Sequence, residues 1–350
     1  MNIQTNSTTR KIGVGIIGLS ADGGWAAAAH YPSLSKLSDL FTIKGLTASS
    51  MAKAEKSSQK YGVPFYSDNA AVLAARDDID LLVVAVNLPQ HQALIEQIAP
   101  SGKAIYCEWP LGVNPAQSQA IADVVARHRC RSFIGLQALT SPYVRKIQEI
   151  LFDSATGKVI SCTVAGNDPA RGKHIDARYR YAQLQENGVN TLTIPFAHLL
   201  AALRYWFGDL AKMSALTACQ YPQVTIADSS EIVQRTATDH VFFQAQTAAG
   251  ALVSAVYRGG AGRLHMEIEC EHLTLVITAN TGHVQYEPLQ IEIRQEDKSE
   301  ILPAASVAAE NLCDTYRAVY ADLQKGTQHV PDFSYAVAHQ RILFELAEDA

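Results

Sequence analysis

The chain has 350 residues, 48% of them hydrophobic and 18% charged, with 29 Lys and Arg against 34 Asp and Glu for a formal charge of −5. At roughly 150 residues per domain, this length suggests about two domains with ample apolar material for packed cores. A net-acidic chain without a basic run is poorly suited to neutralising phosphates, which argues against a nucleic-acid partner.

The first part of the chain alternates strand and helix signals. Ile12–Ile17 is a short apolar strand running into Gly18, and a glycine-containing turn leads to a helix from Trp25 to Ala29. Phe41–Thr47 is the next strand, followed by a helix over Met51–Tyr61 that stops at Gly62, a natural C-cap. A short helix is expected over Asp68–Arg76. Asp80–Val86 is a nearly continuous apolar run, as expected for a strand buried on both faces. Pro89–Ile98 reads as a helix, Ala104–Cys107 as a strand, Pro115–Arg127 as a helix and Arg131–Leu136 as the last strand. Such alternation with short connections predicts an α/β, doubly wound parallel sheet.

After Ser141 the pattern changes. A helix at Pro142–Phe152 leads to a strand at Val159–Ala165. The polar stretch Asn167–Asn187 follows, carrying Arg171, Lys173, His174, Arg178, Tyr179, Arg180 and Tyr181. A strongly apolar helix spans about Asn190–Phe207. His240–Thr247 and Leu252–Tyr257 flank Ala248-Ala249-Gly250, a hairpin signal. Leu264–Glu271, Leu273–Thr278 and Gln290–Arg294 are further strands, and Asn311–Leu323 and Tyr335–Leu346 are helices. Strands adjacent in sequence imply an α+β domain with an open, mostly antiparallel sheet. The expected division is a polar tail over 1–11, a nucleotide-binding domain over 12–139 and a ligand-binding and oligomerisation domain over 140–350.

Six cysteines, at 107, 130, 162, 219, 270 and 313, form no Cys-x-x-Cys pair. They read as free thiols of a cytoplasmic protein, and no metal site is expected. The N-terminal tail has no apolar signal segment. The longest aliphatic run, Leu81–Val86, is six residues, against the ~20 that a membrane span needs.

Gly18-Leu-Ser-Ala-Asp-Gly-Gly24-Trp25 lies between a predicted strand and a predicted helix. In that setting a diphosphate can rest against N–H groups at the helix start if side chains are absent. Gly18, Ser20, Ala21, Gly24 and Trp25 are therefore candidate cofactor contacts. The loop is longer than Gly-x-Gly-x-x-Gly, and Ser20 stands where the second glycine would be. At the end of the second strand, an NAD-selective site usually carries Asp or Glu for the ribose 2′-hydroxyl. Here stand Ser49 and Ser50, with Lys53 one turn on, a set that favours NADP over NAD. The same serines also suit helix capping.

Several segments resemble the glucose–fructose oxidoreductase/inositol dehydrogenase/MocA (Gfo/Idh/MocA) family. They are Val14-Gly-Ile-Ile-Gly18, Val84-Ala-Val-Asn-Leu-Pro-Gln-His91, Ala104-Ile-Tyr-Cys-Glu-Trp-Pro-Leu111 and Gly157-Lys-Val-Ile160. The resemblance implies an N-terminal Rossmann domain and a C-terminal domain whose open sheet joins subunits into a homo-oligomer. It implies cofactor contacts from Val86, Asn87, Leu88, His91 and Glu108. A narrower set resembles the fungal galactose-pathway repressor branch, which binds NAD(P) but serves as a regulator of a protein partner. That set is the Gly18-to-Trp25 loop, His30-Tyr-Pro32, Leu136-Gln137, Ser141-Pro-Tyr143, Ala165-Gly-Asn167, Asn187-Gly-Val189, Phe196-Ala-His198 and Asp239-His-Val-Phe-Phe-Gln244.

The family's dehydrogenases carry Glu-Lys-Pro, whose lysine helps to move the substrate proton. Here the motif reads Glu108-Trp109-Pro110, and an indole N–H can only donate. A second motif, Asp-x-Gly-x-His, reads Ile194-Pro-Phe-Ala-His198. The candidate catalytic residues are therefore His198, as an acid/base near neutral pH, and Trp109, as a stacking surface for a flat or sugar-like ligand. Trp109 is equally suited to packing under the cofactor. Gln137, Tyr143, Asn167, Tyr179 and Asn190 are candidates for the small-molecule pocket, with Lys173 and Arg178 supplying charge. His265, Glu267, Glu269, Glu271 and His272 read as a solvated sheet face rather than a metal site. Two functions fit: an NAD(P)-dependent oxidoreductase with a non-standard site, or a catalytically silent NAD(P)-binding regulator.

Overall fold

The computed structural model describes residues 10–285, 288–296, 298–302 and 308–348, so nearly all of the polar tail lies outside the described residues. The first sheet comprises β1 (Ile12–Ile17), β2 (Phe41–Thr47), β3 (Phe65–Ser67), β4 (Leu81–Val84), β5 (Ala104–Glu108) and β6 (Ser132–Gly135). Its order is β3-β2-β1-β4-β5-β6, and every pairing is parallel. Between these strands run α1 (Tyr31–Lys36), α2 (Met51–Tyr61), α3 (Ala70–Ala74), α4 (His91–Ile98) and α5 (Pro115–Arg127). All four residues of β4 are buried because helices cover both faces, hence its unbroken apolar run. Local chemistry sets the helix ends. Ser50 caps α2, Asn69 caps α3, Asn114 caps α5 ahead of Pro115, and Gly62 ends α2 in the left-handed region.

The second part contains α6 (Pro142–Leu151), β7 (Val159–Asp168), β8 (His174–Ile175), α7 (Ala197–Phe207), β9 (Leu210–Ala218), β10 (Gln223–Ile226), β11 (Ile232–Gln234), β12 (His240–Thr247), β13 (Leu252–Gly259), β14 (Leu264–Cys270), β15 (Thr274–Ala279), β16 (Gln290–Gln295) and β17 (Lys298–Leu302). Eight of these strands form one sheet, β17-β16-β15-β14-β7-β13-β12-β9, antiparallel except for the β7–β13 pair. β8, β10 and β11 make a small separate sheet. The expected hairpin is present, with Gly250 in the left-handed region of the β12–β13 turn. Leu264, Met266, Ile268 and Cys270 point into the core while His265, Glu267 and Glu269 point out, so the acidic stripe is a solvated face. The strands β3, β8, β10, β11 and β17 are short or polar enough that no periodic signal marks them, and the nine-residue β9 is likewise not among the expected strands.

Two helices complete the chain, α8 (Ala308–Lys325) and α9 (Phe333–Glu348), and they return to the first sheet. Leu312, Cys313, Tyr316 and Val319 of α8 share a core with Ile12, Val14, Phe41 and Tyr106. α9 packs on α5 and β9, and just before it the Pro331 carbonyl accepts the Ile134 N–H of edge strand β6 at 2.8 Å. The first sheet is thus finished by residues expected to belong to the second domain. All six cysteines are free. Among the described residues, no helix is long and apolar enough to cross a membrane.

Candidate functional site

The glycine loop is held in shape by α2. Ser57 Oγ accepts the Ala21 N–H at 2.9 Å, Lys60 reaches the Ala21 carbonyl at 2.6 Å, Tyr61 donates to the Ser20 carbonyl at 2.9 Å, and Lys56 pairs with Asp22 at 2.7 Å. Ser20 Oγ is spent within the loop, accepting the Asp22 N–H at 3.1 Å. Gly18 has φ +99°, and a Cβ there would lie 2.6 Å from the Ala85 carbonyl oxygen and from Val86. No side chain is possible at Gly18 without moving β4's exit. Gly23 and Gly24, by contrast, face open space, as a cradle for a diphosphate requires. A helical run follows, a wide π-turn over Ala26–His30 continuing into α1. Ser49 and Lys53 are exposed at the end of β2, whereas Ser50 Oγ accepts the Lys53 N–H.

Val86 and Asn87 lie on the loop after β4, and Leu88 is buried beneath it. His91 fixes this loop: its ring nitrogens lie 3.1 Å from the Val86 carbonyl and 3.2 Å from the Leu111 carbonyl. His91 is thus a buried clamp between the β4 and β5 exits, and burial lowers its pKa.

Glu108, at the carboxyl end of β5, is the hub of a polar network. His30 Nε2 lies 3.0 Å from Glu108 Oε1, and Gln137 Nε2 donates to both carboxylate oxygens at 2.9 and 3.0 Å. On the far side of the imidazole, His30 Nδ1 lies 2.7 Å from the Tyr316 hydroxyl. His30 thus stands between the Glu108 carboxylate and the Tyr316 hydroxyl. Gly135, opposite Glu108 in β6, leaves the room: a Cβ there would lie 2.7 Å from Oε1. Gln137 is therefore a carboxylate partner at the site.

A second constellation converges on the start of α7. Asn190 and Thr193 cap it reciprocally, each side-chain oxygen accepting the other's backbone N–H at 3.0 Å. A wide π-turn over Leu192–Phe196 precedes α7. Trp109 donates its indole N–H to the Thr193 carbonyl at 2.7 Å, and its ring lies 5.3 Å from that of His339. His339 Nε2 contacts the Ala197 carbonyl at 2.9 Å. His198, on the next residue, is 4% exposed, and its Nδ1 has no hydrogen-bond partner. Burial, followed by the neighbouring His283 and His339, holds its pKa well below the ordinary value. His198 is thus favoured as a neutral imidazole rather than a group titrating near neutrality. Beside it, Thr191 donates to Asp168 at 3.2 Å, and His283 Nε2 lies 3.6 Å from the same carboxyl. Burial alone would raise the Asp168 pKa, but His283, Arg171 and Thr191 bring it below the ordinary range.

The structure thus gathers Glu108 with Gln137, and Trp109 with the segment that carries His198 and Asn190. Other candidates lie apart. Tyr143 starts α6 against the last turn of α7, where Trp206 donates to the Val144 carbonyl at 2.9 Å. Its site is two helical turns from His198, ~12 Å along the axis. Tyr179 is 37% exposed, with Arg178 over its ring. Asn167 anchors the loop bearing His283, its carbonyl accepting the Gly282 N–H at 2.9 Å. Arg171, in the polar stretch, is buried and donates to the Ala170 and Val189 carbonyls. Asp168, His283, Tyr316 and His339 carried no spacing signal, because their partners lie far away in the chain. His30 was visible only within its His-Tyr-Pro segment.

A model described as "Oxidoreductase family, NAD-binding Rossmann fold" matches residues 12–136, and one described as "Gal80p, C-terminal domain" matches residues 142–287. Dehydrogenase aclE of Aspergillus oryzae is 30% identical over 227 residues, 63% of this chain and 62% of that protein. The galactose/lactose metabolism regulatory protein GAL80 of Kluyveromyces lactis is 27% identical over 277 residues, 74% of this chain and 60% of its own length. The chain matches about three-fifths of the length of these relatives. Among solved structures, a super-repressor mutant of Gal80p from Saccharomyces cerevisiae superposes with a TM-score of 0.90 at 20% identity, covering 97% of this chain and 96% of that one. Levoglucosan dehydrogenase in complex with NADH and L-sorbose gives a TM-score of 0.80 at 17% identity, covering 97% of each chain. At these identities the two superpositions speak for the fold.

Proposed function

The chain belongs to the Gfo/Idh/MocA family, and from that premise we propose that it is an NAD(P)-dependent oxidoreductase acting on a small, sugar-like hydroxyl or carbonyl compound. The observation that carries this reading is the crevice at the carboxyl ends of β1, β4 and β5. There an open two-glycine turn follows β1, and Glu108 ends β5. The bound nicotinamide would supply the hydride chemistry. The residues of this chain position it: Gly18, Gly23 and Gly24 admit the diphosphate, and His91 holds the Val86–Leu88 loop against the β5 exit. Trp109 walls the pocket on the α7 side, and neutral His198 stands there as a hydrogen-bonding group for a ligand oxygen.

NADP is the favoured cofactor, because Ser49 and Lys53 stand exposed where an NAD site would carry a carboxylate. Lys53→Glu should weaken NADP binding about tenfold while changing NAD binding little. Equal losses for both cofactors would sink that preference.

A second reading, a cofactor-binding regulator with a protein partner, is favoured by Trp109 and Ile194. Neither can move a proton, and the indole N–H is already committed to Thr193. Incubating the full chain with NADP or NAD and a panel of sugars and polyols, and with NADPH or NADH and a panel of ketones, separates the two. Growth or loss of reduced-nicotinamide absorbance supports the enzyme. Tight cofactor binding with no absorbance change across the panel supports the regulator.

The reading includes a cytoplasmic location and a homo-oligomer through the eight-stranded sheet. On its outer face Leu216 and Phe242 are adjacent in register and 68% and 51% exposed, with Leu252 at 63% nearby. Such a patch on a sheet face suits a second copy of the chain. Light scattering should give a multiple of the chain mass for the wild type and the monomer mass for Phe242→Glu. A monomeric wild type would refute it.

A further inference from the structure

We propose that Glu108 makes this crevice selective for the oxidised form of the dinucleotide, the nicotinamide ring being held as a cation against a fixed carboxylate. The inference rests on the cofactor reading above and goes beyond it, since it concerns which redox form resides in the site.

The oxidised nicotinamide ring carries one positive charge that the reduced ring lacks, while the rest of the cofactor is unchanged. A difference in affinity between the two forms must therefore come from groups beside the ring. In a sheet ordered β3-β2-β1-β4-β5-β6, the ring-bearing half lies over β4, β5 and β6, beyond the switch between β1 and β4. Glu108 ends β5 on that half, with its side chain 15% exposed.

The surroundings keep the negative charge in place without cancelling it. Gln137 donates to both oxygens and His30 faces Oε1, so the carboxylate cannot swing away. Tyr316 locks His30 from behind. The other near neighbours carry no compensating charge. Tyr106, Cys107 and Tyr316 are acids raised well above their ordinary values by burial, and His91 is lowered by burial. Residue 109, next in the chain, is an indole whose N–H goes to Thr193. The motif thus brings one anion and no cation. A half-buried charge at contact range, screened as at a protein surface, is worth about tenfold or more in affinity.

The test is calorimetric binding to the full chain of the oxidised cofactor, the reduced cofactor and ADP-ribose, in the NAD and the 2′-phosphorylated series. The wild type should bind the oxidised form about tenfold more tightly than the reduced form, with the reduced form no tighter than ADP-ribose. Glu108→Gln should bring the ratio close to unity by weakening the oxidised form alone, leaving ADP-ribose affinity as it was. Glu108→Asp, which keeps the charge, should retain most of the ratio. Equal wild-type affinities, or a folded Glu108→Gln that keeps the wild-type ratio, would overturn the proposal. If Glu108→Gln does not fold, the wild-type series decides: a reduced form bound more tightly than ADP-ribose and as tightly as the oxidised form refutes it. If none of the three binds, the cofactor reading itself fails, and this proposal falls with it.

Discussion

His30 ends one wide π-turn and His198 follows another, each where a helix starts, one in each half of the molecule, and both are sealed from bulk water. Their surroundings are opposite. His30 lies between a carboxylate and a phenol, with Nδ1 2.7 Å from the Tyr316 hydroxyl and Nε2 3.0 Å from Glu108 Oε1. His198 has an unpartnered Nδ1 and two other imidazoles for neighbours. The fold therefore places a carboxylate beside one imidazole and leaves the other neutral and under-satisfied. π-turns recur at functional sites because the wide turn re-aims side chains, and here the same device serves two different electrostatic ends.

The widest contrast should appear with pH. His198 lies well below the ordinary value of 6.5 and His339 at about 4, chiefly through burial. Because these pKa values are depressed in the folded protein, their contribution is fully present above pH 6.5. It is lost as pH falls from there towards 4, where protons favour the unfolded chain. The slope is about 1.4 kcal/mol per pH unit for each such histidine. Urea midpoints measured across that window should fall steeply, and His339→Leu should flatten the curve. An unchanged slope in that variant would mean that His339 is not held neutral by the fold.

At constant pH the larger mutational effect belongs to the first centre. His30→Leu strands the Tyr316 hydroxyl and removes a partner from Glu108, so thermal unfolding should register a loss of about 3 kcal/mol. Trp109→Phe keeps a ring against His339 but leaves the Thr193 carbonyl without its donor, a loss of about 1 kcal/mol in the same assay. His198→Leu, where a nitrogen is already unpaired, should change stability by less than ~1 kcal/mol and leave cofactor binding intact. A loss at His198 as large as that at His30 would erase the contrast between the two centres.

Much of this organisation was legible beforehand. Ile12–Ile17 and the run at Leu81–Val84 declared a parallel sheet, and the hairpin around Gly250 declared itself by turn chemistry. The glycine loop was readable as a phosphate cradle, although Ser20 and Ala21 turned out to be engaged within the loop and with α2. Phe65–Ser67 escaped notice because three residues carry no period, and β8, β10 and β11 because each has four residues or fewer. Gln137 and Trp109, singled out through their motifs, lie against Glu108 and the start of α7. Asn190 spends its side chain on a helix cap and on Gln185.

Strand alternation, helix caps and the glycine turn depend on neighbours a few residues apart, so the amino-acid order alone was enough to place them. Which ionisable groups share a dry interior depends on closures across the whole chain. His30 meets Tyr316 at a separation of 286 residues, and Trp109 meets Thr193 at 84. Those encounters exist because α8 and α9 fold back onto the first sheet, and because the π-turn ahead of α7 turns its start towards β5. Burial then shapes the surroundings: one imidazole lies between Glu108 and Tyr316, and the other is a neutral, unsatisfied ring beside His283 and His339.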